Sequence, residues 1–329
     1  MDIYFEKEYA RLYEEIEQGK IEEFLFKNEN GSIKNLFLKR KIEQKVDGKE
    51  YFDIITPYGY GGPIILEEKN KEKLLQEYEK EFSKFCNENN IVSEFIRFHP
   101  IYGNALDFRK IYEVEYSRKT IGTNLRDFQN PIQEEFSKNA RREIKQAEKK
   151  EIKVHIIEKP ENLEKFKKLY YETMKRNDAS EYYYFDESYF DKVIFNLKDY
   201  ILLIELEYES EIIASEIYLI KGKILHAHLL GSCSKMLELN AGSLIEATAA
   251  KWGKENNFYY IHHGGGRTSD PEDSLFKYKK KFGKNTEFDF YIGKKIWNEN
   301  IYKKLVEKKY LTEEERESNF FPLYRIAGE

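Results

Sequence analysis

Cysteine is scarce: Cys86 and Cys233 are the only two in 329 residues. They lie far apart with no CxxC spacing, which excludes a disulfide framework and a cysteine-based zinc site and fits a reducing compartment. Charge of one sign is lacking too, since 55 basic residues against 60 acidic ones leave a formal charge of −5. The total therefore predicts no polyanionic partner, and only local clusters could specify one. No stretch approaches the roughly 20 apolar residues that cross a bilayer. Residues 1–11 alternate charged and aromatic side chains without the apolar core of a signal peptide. A cytoplasmic protein is expected, with at most peripheral membrane contact. Internal repeats and low-complexity tracts are absent.

Aromatic residues, by contrast, are plentiful: 26 Tyr and 23 Phe give ample surface to bury although 35% of residues are charged. A chain of this length is long for one core, so two domains are expected. The first part reads as mixed: a helix over 3–18, strands at 35–43 and 52–56, a helix over 71–89 and a strand at 92–98. The segment 57–63 brackets three glycines and two tyrosines with prolines, which forbids regular structure. It is either a tight connection or a flexible lip on a substrate cleft, with Tyr58 and Tyr60 as contacts.

Over 131–150, Phe136, Ala140, Ile144 and Ala147 make one apolar helical stripe, capped by Asn130 and opened by Pro131. There follow a strand at 152–157, helices over 160–176 and 187–197, strands at 200–207, 211–220 and 223–232, a helix over 241–256, a strand at 258–262, a helix over 271–282 and a strand at 286–292. That succession is a helix pair, an antiparallel meander and a βα crossover, which suits an N-acyltransferase of the GNAT type.

The centre of interest is 258–283. Here a strand runs into Gly264-Gly265-Gly266 and Arg267, with Asp270 as a cap, Pro271 at the first helical position and Asp273 at the capping-box position. Glycines at the carboxyl end of a strand let backbone approach a ligand closely. Lys277, Lys280, Lys281 and Lys284 share a face, which as pattern alone reads as solvated. His262 and His263 adjoin the glycines, but no third ligand stands at a metal spacing, so no metal is expected. His226 and His228 read as core or cleft lining and Cys233 as a small buried residue. Lys138, Arg142, Lys145 and Lys149 form a basic stripe, with Arg141 beside it. The stripe either meets phosphates or pairs with Glu134, Glu135, Glu143 and Glu148.

Several motifs in order, Asn139 through Lys149, Leu169 through Asn177, Gly264-Gly265-Gly266, Asp273-Ser274-Leu275-Phe276-Lys277 and Phe282-Gly283, resemble the Fem family of peptidoglycan-branching aminoacyltransferases and its FemAB-like relatives in the GNAT superfamily. The resemblance spans roughly residues 124–302. It implies tandem GNAT-like domains, α/β (α+β) in class, with mixed, mainly antiparallel sheets flanked by helices and a cleft between domains. The boundaries expected are 1–128, 129–310 and a tail over 311–329 that returns to the first domain. The implied reaction moves an aminoacyl group from aminoacyl-tRNA, a co-substrate, to an amine of a peptidoglycan or other nucleotide- or lipid-linked envelope precursor, with no tightly bound cofactor. The family's Phe-Lys pair falls on Phe276 and Lys277, the lysine stabilising the oxyanion. Arg176 matches an arginine that holds the precursor's diphosphate, and Gly264, Gly265, Gly266 and Arg267 join it as substrate contacts. The long helical arm of some members is missing after residue 176.

An activated ester needs a positioned amine and stabilisation of the developing oxyanion, not a covalent enzyme. No general base stands out. Acetyl-CoA is the alternative donor, acting on an amino sugar or surface polysaccharide precursor. Its pyrophosphate loop, however, would fall on Leu237-Glu238-Leu239-Asn240-Ala241-Gly242-Ser243, where Glu238 would repel it. A non-catalytic binding protein with the same fold is the third reading.

Overall fold

A computed structural model describes residues 1–326, which form two compact units. The first comprises Tyr4–Ser117 and Phe290–Glu329, the second Met1–Ile3 and Arg118–Asp289. This division differs from the boundaries expected after 128 and 310. The chain changes unit inside two long strands, where only the pairing partners change and the composition does not.

In the first unit the helix expected over 3–18 is a set of short turns around α1 (Lys7–Ala10). Tyr4 and Phe5, Tyr9 and Ala10, and Leu12 and Tyr13 are buried between the charged Glu6, Lys7, Glu8 and Arg11, so the buried positions fall in pairs instead of along one helical stripe. Next come β1 (Gly19–Asn28), β2 (Gly31–Lys41), β3 (Phe52–Ile55) and β4 (Ile64–Glu68). β1 escapes the sequence reading because its apolar residues are interleaved with Glu22, Glu23 and Lys27 on a half-exposed strand. Asn70 caps α2 (Lys71–Glu88), which buries Leu74, Tyr78, Phe82 and Cys86 at four-residue spacing. It carries the chain from β4 to β5 (Ile91–Arg97), which pairs parallel to β3. α3 (Asn104–Phe108) and β6 (Glu113–Asn124) follow.

In the second unit the helix expected over 131–150 breaks into α4 (Pro131–Glu135) and α5 (Lys138–Ala147). Phe136 is extended, and the Ser137 side chain caps the new helix by accepting from the Ala140 N–H. The apolar stripe survives the break, with Phe136, Ala140, Ile144 and Ala147 in one core. There follow β7 (Lys153–Glu158), α6 (Glu164–Arg176), α7 (Glu187–Leu197), β8 (Ile201–Tyr208), β9 (Glu211–Lys221), β10 (Ile224–Ser232), α8 (Ser234–Glu238), α9 (Gly242–Glu255), β11 (Tyr260–Gly264), α10 (Ser274–Lys280) and β12 (Glu287–Ile296). The sheet order is β6-β11-β10-β9-β8-β7. All neighbours in it are antiparallel except β10 and β11. Leu202, Ile204, Tyr218, Leu225, Ile245, Ile261 and Phe282 fill its core.

The last part of β12 pairs with β5, completing the order β1-β2-β3-β5-β12 in the first unit. α11 (Glu299–Glu307) and α12 (Glu313–Glu317) lead to the tail. There Arg325 pairs with the buried Asp53, and the Tyr324 and Ser93 hydroxyls lie 2.6 Å apart. The remainder of the tail expected over 311–329 lies outside the described residues. The class is thus α/β with mixed, mainly antiparallel sheets flanked by helices, and among the described residues no helix is long and apolar enough to cross a membrane.

Candidate active site

The parallel strands β10 and β11 pair only along Ile224–His226 and Tyr260–His262. Just past that point each strand bulges against its other neighbour, β10 between Ala227 and Leu229 and β11 between His262 and Gly264. A bulge re-aims a side chain and ends regular pairing, so His228 and His263 mark where the seam opens. The glycine turn begins there. Gly266 has no room for a side chain, since a Cβ would stand 2.8 Å from the Asp273 carboxylate and 3.0 Å from Phe276.

Asp273, not Asp270, caps α10, so the helix starts at Ser274 and not at 271. One carboxylate oxygen accepts from the Phe276 N–H and the other from the N–H groups of Arg267 and Thr268, which keeps 270 and 271 in the loop. These bonds hold its carboxyl below the usual range. Arg118 Nη1 donates to the carbonyls of Gly266 and Arg267, and Lys279 Nζ donates to that of Gly265 at 2.7 Å. The loop carbonyls are thereby turned onto cations, while the N–H groups of Gly265 and Gly266 donate no hydrogen bond among the described residues.

Lys279 and Lys277 occupy opposite environments. Lys277 is exposed and pairs with Glu272. Lys279 is half-buried as a residue, but its ammonium end is enclosed, and burial pushes its pKa down to about 8 against the opposing pull of Glu246, Glu216 and Asp273. Glu216 of β9 and Glu246 of α9 act on it electrostatically, as it does on His263 of β11. The Tyr218 hydroxyl donates to Glu216 at 2.7 Å and lies 3.4 Å from Glu246. His263 Nδ1 is 3.5 Å from Glu246. Burial raises Glu216 to about 7, pushes Glu246 well above the usual carboxylate range, and lowers His263 to about 3.

Of the other expected site residues, Phe276 is half-buried under the glycine turn and Arg267 is exposed. Arg176 donates to the Ser232 carbonyl and hydroxyl at 2.7 and 2.8 Å, fastening α6 to β10. Tyr58 and Tyr60 belong to the first unit. There Tyr9 donates to the Tyr58 carbonyl, and the Tyr60 ring stands edge-on to Tyr4 and Phe290. His226 bridges the buried Asp2 and His262. His228 meets the Tyr189 hydroxyl at 2.9 Å.

The N-terminus of α9, where a pyrophosphate would sit in a CoA-binding relative of this fold, is covered by protein groups. Glu143 accepts from Ser243 and from Lys281, and Gly242 lies beneath the Tyr278 hydroxyl. On α5, Arg141 is committed to the carbonyls of Gln133 and Phe136. Lys138, Arg142, Lys145 and Lys149 are all exposed. None of these four has a carboxylate partner among the described residues.

Lys279 escaped the sequence reading because a run of lysines reads as one solvated face. A usable signal is present: Tyr278 and Phe282, four apart, mark the inner face of α10, and Lys279 adjoins it. Glu216 and Glu246 are likewise charges set within apolar runs, the pattern of a buried group that needs partners.

Comparison with known proteins agrees with this architecture. The model of the FemAB-like family, described as peptidoglycan biosynthesis/recognition, matches residues 55–240, more than half of the chain. The solved structure of FemX is similar at TM-score 0.70 with 12% identity, over 92% of this chain and 94% of that one. L-PGS from Bacillus licheniformis is similar at TM-score 0.56 and 15% identity, over 88% and 91%. The C-terminal domain of a putative lysylphosphatidylglycerol synthetase from Agrobacterium fabrum is similar at 0.56 and 10%, over 90% and 89%. No curated protein matches in sequence. With its family motifs on an acyltransferase fold shared with FemX, this chain belongs to the FemAB-like family of peptidoglycan biosynthesis and recognition.

Proposed function

We propose that this peptidoglycan-related acyltransferase moves an aminoacyl group from aminoacyl-tRNA to an amine of an envelope precursor, and that Lys279, in preference to Lys277, stabilises the oxyanion. The amine nitrogen attacks the ester carbonyl, a C–N bond forms and the C–O bond to the tRNA ribose breaks. The proton lost by the nitrogen ends on the departing ribose hydroxyl. An enclosed ammonium with donors to spare, beside two acceptor-free N–H groups, is the arrangement such a transition state requires. The enclosed Lys279 ammonium at the carboxyl end of β11 is the observation that carries this reading.

Two features favour tRNA over acetyl-CoA as the donor. Glu143 presents a carboxylate where CoA would need its pyrophosphate cradled. Lys138, Arg142 and Lys145 of α5 and Lys149 just past its end, exposed and without a carboxylate partner among the described residues, suit a phosphate backbone.

The test is single-turnover transfer from charged tRNA, or from acetyl-CoA, to a panel of amine-bearing precursors. Lys279→Ala should lower the rate by about 10²–10³, while Lys277→Ala stays within threefold. Full activity in Lys279→Ala, or loss only in Lys277→Ala, would return the role to Lys277. Transfer from acetyl-CoA alone would overturn the donor.

A further inference from the structure

We infer that Glu216 and Glu246 are positioning residues for Lys279, with Glu246 held as a neutral carboxylic acid and Glu216 as the carboxylate, so that one negative charge stands against the lysine ammonium. The bearing on catalysis rests on the reading of Lys279 given above.

The proton positions follow from hydrogen-bond direction. The Thr123 hydroxyl has one proton, which goes to the Phe282 carbonyl at 2.7 Å. At 2.9 Å from His263 Nε2 it must therefore accept, which puts the imidazole proton on Nε2. The ring is uncharged in this buried position, so Nδ1 carries a lone pair, and no hydrogen-bond donor serves it among the described residues. Its neighbour is Glu246 Oε2 at 3.5 Å. The same oxygen lies 3.4 Å from the Tyr218 hydroxyl oxygen, whose one proton is directed to Glu216 at 2.7 Å.

Glu246 Oε2 thus faces two lone pairs. A carboxylate there would be repelled by both, whereas a carboxyl O–H satisfies one. Glu216 is in the reverse position, accepting a phenolic proton as a carboxylate does.

The other charged or titratable groups acting here do not supply that charge. Asp273 is bound up in capping α10. Tyr278 is neutral, and Glu143 of α5 pairs with Lys281. Two ionised glutamates would repel each other in the interior. None would leave the enclosed lysine to lose its proton near neutrality.

The experiment is a ¹⁵N NMR titration of the lysine side chains in the full chain, with the Lys279 signal assigned by its loss in Lys279→Met. Glu216→Gln should lower the Lys279 midpoint by a unit or more, a tenfold loss in proton affinity. Glu246→Gln, which resembles the neutral acid, should shift it by less than about a third of that. Tyr218→Phe, which deprives Glu216 of its donor, should fall between. Equal shifts in the two glutamine variants, or a larger one in Glu246→Gln, would overturn the assignment. The alkaline limb of the kcat/KM profile should move to lower pH in the same order. If the titrations behave as expected but Lys279→Ala still transfers, the functional reading fails and this one stands. If the titrations do not move while Lys279→Ala loses transfer, this inference fails and the functional reading stands.

Discussion

Each unit contains a buried acid pushed up to about 7, and the two have different consequences. In the first unit, Glu94 of β5 accepts from Asn35 at 2.9 Å and from the Trp297 indole at 3.1 Å, both neutral donors, amid the rings of Tyr78, Phe82 and Trp297. In the second, Glu216 accepts from the Tyr218 phenol and feels the enclosed Lys279 ammonium, whereas the lysine acting on Glu94, Lys295, is paired with Glu79. A shifted carboxyl is therefore not itself a site. What distinguishes the second unit is a cation with donors left over, next to backbone N–H groups without acceptors, on strands that have stopped pairing.

The largest test of this contrast is on activity. Lys279→Ala should remove about two to three orders of magnitude of transfer rate, whereas Glu94→Gln should leave the rate within twofold in a single-turnover assay. A large rate loss in Glu94→Gln would erase the distinction between the two centres.

Stability should show the opposite emphasis. Phe82, fully buried between Tyr78, Phe85 and Trp297, anchors the aromatic core over Glu94. Phe82→Ala should cost about 3–5 kcal/mol in a urea titration. The rate constant of the remaining folded protein should be unchanged.

A smaller effect depends on pH. Glu94 binds its proton more tightly folded than unfolded, so between pH 4.5 and about 7 the native state holds a proton that the unfolded chain releases. Stability falls as pH rises through that window and is lowest above it. Glu94→Gln should flatten this fall and raise stability at pH 8 by on the order of 2–3 kcal/mol. The new amide nitrogen cannot accept, so either the Asn35 or the Trp297 N–H loses its acceptor, which offsets part of that gain. Urea midpoints at pH 5 and pH 8 decide it, and a slope equal to wild type would count against the buried-acid account. Smaller still is Gly62→Ala, where φ is +81° and the new Cβ would lie 2.6 Å from Ile96. It should lower stability by about 1–3 kcal/mol without altering transfer per folded molecule.

Much of the second unit was legible in the sequence because its elements announce themselves locally. The meander turns need left-handed backbone, which Glu209, Ser210 and Gly222 adopt. α7 spans Glu187–Leu197 as its period implies. β1 and the N-terminal turns of the first unit were not legible, since charges interleaved among the apolar residues hide the period that reveals a strand or a helix. The glycine turn was visible, but the lysine beside it was not, because neighbouring lysines look alike until packing selects one.

By itself, then, the sequence determined the family motifs, the α/β class and the strand, glycine turn and helix over 258–283. These depend on local propensity and on residue types at fixed spacing. Only the tertiary structure decided that Asp273 caps the helix, that Glu143 covers the α9 terminus and that Lys279 is enclosed while Lys277 is solvated. Burial and hydrogen-bond direction depend on residues from β6, β9, α9 and β11 brought together by the fold, and no spacing within one helix encodes them.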